Sequence, residues 1–300
     1  MDDHRSRPPL SVVVATRTPR VALAEAMESL APQVRALGAE IVVATGGRDT
    51  PDNILLPPGT IWVHEPEASV MKLRTMAVAR ARGEIVAMTE DHCRVSRRWC
   101  QNIIEIHAKN PEVAAIGGAV ENAATATLTS RLHFLLAYGV FMRPLGQGGA
   151  RFIAGEANVS YKRSALPSRL CKDGHQQMLF NQQLAADGLR VLASDEIVVF
   201  HNQPVELGEA CRMHFHNGRC ISGMRRPGLS LMALLIRLAS CAVLPAYLVY
   251  RALAAAFRKG RGRSTAVIGI PILFAFASFH ALGEVAGCLT GPGESPLHVP

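Results

Sequence analysis

Glu90, Asp91 and His92 stand consecutively at the end of a short apolar run, Ile85 to Met88. Each of the three side chains can accept a proton or coordinate a metal ion. In an α/β sheet the chemistry sits in the crevice at the carboxyl ends of the strands. A cluster rich in oxygen donors at that place suits a hard divalent cation and the diphosphate it neutralises. Taken alone, the same residues read equally well as a strand followed by a solvated acidic turn. The segments around them decide between the two.

Those segments alternate. Leu10 to Thr16 is a continuous β-branched run and predicts a buried strand. A helix opens at Pro19, with Val21, Leu23, Ala24, Met27 and Leu30 at near-helical spacing. Strands are expected at Glu40 to Ala44 and Thr60 to His64, joined by a Pro/Gly-rich link from Pro51 to Gly59. A helix from Ala68 to Ala81 then leads through Gly83 to the central strand. Further on come a helix over Arg97 to Lys109, a strand from Val113, and a helix over Cys171 to Asp187. The apolar stretch Arg190 to His201 is a strand or strand pair ending on a histidine. Gln147-Gly148-Gly149 is a candidate lid. Strands alternating with helices predict an α/β fold with a mostly parallel sheet.

The composition is uneven along the chain. Hydrophobic residues make up 49% of the 300 residues and the formal net charge is +8. Between Ala210 and Gly283 there is no acidic residue, against ten basic ones. The positive charge therefore belongs to the apolar C-terminal third, which fits an anionic cytoplasmic membrane leaflet and not a nucleic acid. Two long apolar segments lie there, Leu229 to Phe257 and Thr265 to Leu289, separated by Arg258-Lys259-Gly260-Arg261-Gly262-Arg263. The second approaches the ~20 residues that a span requires. Two core helices of an extra soluble domain are the other reading. Seven cysteines without a CxxC pair argue against a zinc site or disulfide framework and for a reducing compartment. Residues 1–9 contain no apolar leader, so the catalytic part is expected in the cytoplasm, at the inner or plasma membrane.

Taken in order, these segments resemble a family 2 glycosyltransferase with the GT-A fold. Ser11 to Thr16 is similar to that family's opening strand, and Glu28-Ser29-Leu30 with Gln33 to its first helix. Ile41 to Asp49 matches the strand that enters the nucleotide loop. Arg74 and Ala79 to Glu84 match the helix leading to the metal motif. Glu90-Asp91-His92 sits at the DxD position, with Trp99 following. Ala157-Asn158 through Lys162 to Leu166 resembles the acceptor-side strand, and Leu184, Gly188 and His201 the closing helix and strand. The resemblance covers about Pro9 to Gly223. It implies a transferase domain over residues 1–225 and a membrane-associated helical tail over 226–300.

The resemblance also implies roles. Asp91, His92 and His201 would hold Mg²⁺ or Mn²⁺, and Glu90 would touch the ribose or the metal. Thr16, Asp49 and Arg74 would line the pocket of a nucleotide-sugar donor. Arg74 reads equally as a solvated helix charge, and His201 as a strand-end histidine making one hydrogen bond. The acceptor would be lipid-linked or an envelope polysaccharide. Two departures stand out. Ala44 and Thr45 occupy positions where the family holds the base with a carboxylate. Gln176-Gln177 replaces the acidic pair that supplies the general base of an inverting transferase. Asp173, with His175 beside it, is the nearest substitute; Asp173 reads equally as a helix N-cap. The Gln pair also leaves open a non-catalytic scaffold that binds a nucleotide sugar.

Overall fold

The computed structural model describes residues 7–17, 21–47, 56–146, 153–166 and 177–299. The expected helix start at Pro19 and the Gln147-Gly148-Gly149 lid lie outside them. In chain order the first elements are β1 (Leu10–Thr16), α1 (Val21–Ala36), β2 (Glu40–Thr45), β3 (Ile61–His64), α2 (Val70–Arg80), β4 (Ile85–Glu90) and β5 (Cys93–Val95). They are followed by α3 (Trp99–Lys109), β6 (Val113–Asn122), α4 (Leu128–Tyr138), β7 (Val159–Lys162), α5 (Gln177–Ala186) and β8 (Arg190–His201). The chain ends in α6 (Leu207–Arg225), α7 (Leu231–Cys241), α8 (Leu244–Lys259), α9 (Arg263–Ile268) and α10 (Ile270–Thr290).

Two compact units result. One holds residues 1–121 and 143–202; the other holds 122–142 and 203–300. The second unit thus takes in α4 and α6 besides the apolar segments after Pro227.

In the first unit eight strands form one mixed sheet in the order β3-β2-β1-β4-β7-β6-β8-β5. β1 pairs in parallel with β2 and β4, and β2 with β3. β7 runs antiparallel to β4 and β6, and β5 antiparallel to β8. The parallel character expected from the alternation of strands and helices holds for β3, β2, β1 and β4, while β7 and the β5–β8 pair bring antiparallel pairing into the sheet. Every residue of β1, β2 and β4 is buried, as strands covered on both faces must be. α2 starts at Ser69, whose side chain accepts from the Lys72 N–H at 3.3 Å.

A polar network fixes where β1, β2 and β4 begin. The Ser11 hydroxyl donates to Glu40 Oε1 at 2.6 Å and accepts from the Gly83 N–H at 2.7 Å. Arg82 donates to Glu40 Oε2 from Nε (3.0 Å) and Nη2 (2.8 Å). Burial pushes the Glu40 carboxyl up, but the Ser11 and Arg82 hydrogen bonds and the Arg82 charge bring it below its ordinary value. Gly83 is required by space: a Cβ there would lie 2.5 Å from the Ser11 backbone nitrogen.

In the second unit α6 and α10 pack backbone to backbone. A Cβ on Gly218 would sit 2.2 Å from the His280 carbonyl oxygen, and one on Gly283 would sit 2.0 Å from that of Phe215. Gly287 repeats the approach 2.5 Å from the Arg219 carbonyl. The contacts of Phe215 with Gly283, Arg219 with Gly287 and Gly223 with Gly291 advance together along both helices, so the two run in the same direction. α10 is long and apolar enough to cross a membrane. α7 and α8 meet the same test only as a pair, bent by 59° at a break just before Pro245. Of the nineteen large hydrophobic side chains exposed among the described residues, sixteen fall between Leu231 and Leu297.

Candidate metal centre and active site

β4 carries its side chains to the edge of the sheet and ends on Glu90, so the cluster begins inside the strand rather than in the turn after it. The chain then reverses into β5, which pairs with the end of β8 and sets Cys93 directly opposite His201. The Asn202 N–H donates to the His92 carbonyl at 2.9 Å and closes the junction. Residues more than a hundred positions apart thereby converge.

The convergence has a definite geometry. His92 Nε2 and His201 Nε2 are 3.0 Å apart, and Glu90 Oε2 lies 3.4 Å from the first and 3.5 Å from the second. The ligand atoms of Glu90, His92, Cys93 and His201 all lie within 4.8 Å of one another. Glu90 and His201 are buried, and the His92 side chain is 10% exposed. The three nitrogen and oxygen donors lie on a circle of roughly 1.9 Å radius, so one ion at about 2.1 Å reaches all three. The set therefore fits a divalent metal.

Asp91 stands behind this triangle. Its Oδ1 is 2.8 Å from His92 Nδ1, and its Oδ2 accepts from the Thr16 hydroxyl at 2.5 Å. A carboxylate on the far nitrogen of an imidazole fixes the ring and its tautomer. Thr16 and Asp91 thus orient His92 from the end of β1. Burial lowers the His92 imidazole, but its hydrogen bonds to Asp91 and Glu90 and their charges raise it to about 10. Burial likewise pushes Glu90 up, and the bond and charge of His92, with the charges of His201 and Arg74, bring it down to about 2. The pocket is built for paired charge.

Arg74, on α2, is buried and lies 3.8 Å from Glu90 and 3.3 Å from Glu156. The reading of Arg74 as a solvated helix charge does not hold. Trp99 and Asn158 hold the frame: Trp99 Nε1 donates to Asn158 Oδ1 at 2.9 Å, and Asn158 Nδ2 donates to the carbonyls of Ala119 (2.8 Å) and Ile197 (3.0 Å). At the end of β2, Thr45 Oγ1 accepts from Trp62 Nε1 at 3.0 Å and lies 2.9 Å from His64 Nδ1. The Trp62 and His64 rings stack with centroids 5.2 Å apart. Thr45 is thus tied into a ring pair.

The structure brings Thr16, Arg74, Glu90, Asp91, His92 and His201 together. Asp49, Asp173, His175 and Gln176 lie outside the described residues. Sequence reasoning missed Cys93, Glu156 and the Trp62–His64 pair. A thiol next to the Glu-Asp-His run was the available signal for Cys93; Glu156 had none.

No protein-family model matches the sequence, and no curated protein matches it. Among solved structures the chain is similar to the mannosyltransferase PcManGT from Pyrobaculum calidifontis, determined in complex with GDP-Man and Mn²⁺. Sequence identity is 18% and the TM-score 0.54, over 95% of this chain and 87% of that one. At that identity the likeness establishes the fold, which is glycosyltransferase-like.

Proposed function

We propose that the chain is a membrane-associated, metal-dependent, inverting glycosyltransferase of family 2. It moves a sugar from a nucleotide donor to a lipid-linked or envelope-polysaccharide acceptor at the cytoplasmic face of the inner or plasma membrane. Residues 1–225 supply the transferase and residues 226–300 the membrane-associated tail. The observation that carries this reading is the triangle of Glu90, His92 and His201 at the carboxyl end of β4, with Asp91 and Thr16 behind it. Supporting it are a fold shared with a nucleotide-sugar enzyme and the apolar exterior of α7 to α10.

In this reading Glu90, His92 and His201 would hold Mg²⁺ or Mn²⁺, which would supply positive charge to offset that developing on the departing diphosphate. Asp91 keeps the His92 imidazole aimed, Thr16 keeps Asp91 in place, and Arg74 steadies Glu90 through its ion pair. Asp49 lines the nucleotide pocket. Asp173, or His175 beside it, accepts the proton of the acceptor hydroxyl as that oxygen attacks the anomeric carbon. The Gln176-Gln177 pair favours a second reading, a non-catalytic scaffold of an envelope-glycan assembly that binds a nucleotide sugar.

The test is donor turnover by detergent-extracted full-length protein. A panel of nucleotide sugars, GDP-mannose included, is supplied with Mn²⁺ or Mg²⁺. Metal-dependent release of nucleoside diphosphate from one donor, lost in Asp91→Ala, is the expected result. Full activity in Asp173→Asn would remove the assignment of the base alone. Binding of one donor without turnover would favour the scaffold.

A further inference from the structure

The second unit contains a cavity of about 490 Å³ that sugar transfer does not use. Small-ligand sites run from roughly 300 to 1,000 Å³. Its walls are the end of α6 at Gly223, the turn from Arg226 to Leu229, and Pro292 just after α10, with Leu234 of α7 closing it. Two contacts hold the walls in place. A Cβ on Gly223 would lie 2.3 Å from the Pro292 nitrogen. Arg219 donates to the Gly291 carbonyl from Nε at 3.2 Å and to Thr290 Oγ1 from Nη2 at 3.2 Å. The turn is closed by the Leu229 N–H on the Arg226 carbonyl at 3.1 Å. The lining is therefore leucine and proline with one cation. The Arg226 side chain has no hydrogen bond or ion pair among the described residues. From Arg219 to Glu294 the sequence carries nine basic residues against two acids, Glu284 and Glu294, and Glu284 faces His280 at 3.4 Å. An acidic ligand is thus favoured at the rim and an apolar one inside.

We propose that this cavity binds one acidic membrane phospholipid per chain, with the phosphate on Arg226 and the alkyl chains along Leu234 and α7. A guanidinium meets a phosphate through two parallel hydrogen bonds, which a diffuse basic surface does not arrange. Leu231 and Leu235, one helical turn apart on α7, share a face, and Leu234 stands beside them on the next ridge. Both Leu231 and Leu235 are exposed, so the apolar path continues out of the cavity along the helix. The excess of basic residues attracts any anionic surface. The cavity adds a site that saturates. This inference deepens the membrane-associated reading and is independent of sugar transfer.

The full-length chain in a neutral detergent is titrated into phosphatidylglycerol carrying a fluorescent tail, and anisotropy reports binding. Saturation at one lipid per chain is expected. Unlabelled phosphatidylglycerol should displace the probe at a concentration about tenfold below that needed of phosphatidylcholine, the worth of a charge-assisted hydrogen bond. Equal displacement by the two would overturn the acidic headgroup, and equal displacement by inorganic phosphate would overturn the lipid in favour of a free anion. Arg226→Gln is expected to weaken binding about tenfold. Leu234→Trp, which fills the cavity, should weaken it as well. Arg258→Gln removes the same charge from the end of α8, outside the cavity, and should bind like the parent. Equal losses in Arg226→Gln and Arg258→Gln would overturn the site and leave only diffuse attraction. Because the lipid is delivered in micelles without a sugar nucleotide, these outcomes stand whether or not the chain inserts into a bilayer or turns over a donor. Their failure in turn leaves flotation and transfer open to assay.

Discussion

Thr16 shows how much a single hydroxyl does at this site. It sits at the last position of β1, donates a hydrogen bond to Asp91, and through Asp91 fixes the ring of His92. Thr16→Val keeps the shape and removes the donor. The expected loss is about tenfold in kcat/KM, the worth of one charge-assisted hydrogen bond, with the fold intact by circular dichroism. Asp91→Asn is expected to lower Mn²⁺ affinity by about ten- to a hundredfold, the usual effect of disturbing a metal-ligand histidine's carboxylate partner; calorimetric titration reads it. At this scale the sequence was informative about residues whose chemistry is contiguous. Glu90, Asp91 and His92 adjoin an apolar run, and His201 ends another. Cys93 and Glu156 were illegible for a physical reason. The first joins the pocket through β5, a strand of three residues too short to have a period. The second reaches Arg74 from a turn.

The elements that carry these residues depend on two buried polar contacts. Glu40, at the start of β2, is held ionised by Ser11 and Arg82. A carboxyl whose folded value lies below 4.5 contributes stability above that pH and loses it as pH falls through the folded value. Glu40→Gln is expected to destabilise the first unit by about 1–3 kcal/mol at neutral pH, and less in acid. His107, on α3, works over a higher range. Burial and the charge of Lys162 lower it to about 4 from 6.5, although Ser160 opposes them. The unfolded chain therefore binds a proton that the native one refuses between those values. Stability falls as pH drops from about 6.5 to about 4 and becomes indifferent to His107 below that. His107→Gln is expected to flatten this slope in urea unfolding curves followed by tryptophan emission. Strands such as β1 and β4 were legible because buried parallel strands are continuous apolar runs. α4 was not, since it lies between Asn122 and Gly149, where Gly and polar residues interrupt the pattern.

Across the whole molecule the division of labour is between a polar, charge-paired unit and an apolar helical one. Leu231, Met232, Leu235 and Ile236 of α7 are exposed, a surface that suits lipid. The chain is therefore expected to float with anionic liposomes and to remain bound at high salt, since apolar burial is not screened; full release by salt alone would refute insertion. Gly283→Leu is expected to separate α6 from α10 and to lower the yield of folded, detergent-extractable protein. The close seam between those two helices also sets an order of assembly. Every residue from Arg226 to Gly269 leaves the ribosome after α6 and before its partner. Until α10 emerges, the glycine face of α6 is a groove whose only well-fitting occupant has yet to be made, and a neighbouring chain's α10 fits it equally well. Crowded synthesis thus becomes a race between a chain closing on itself and two chains exchanging helices.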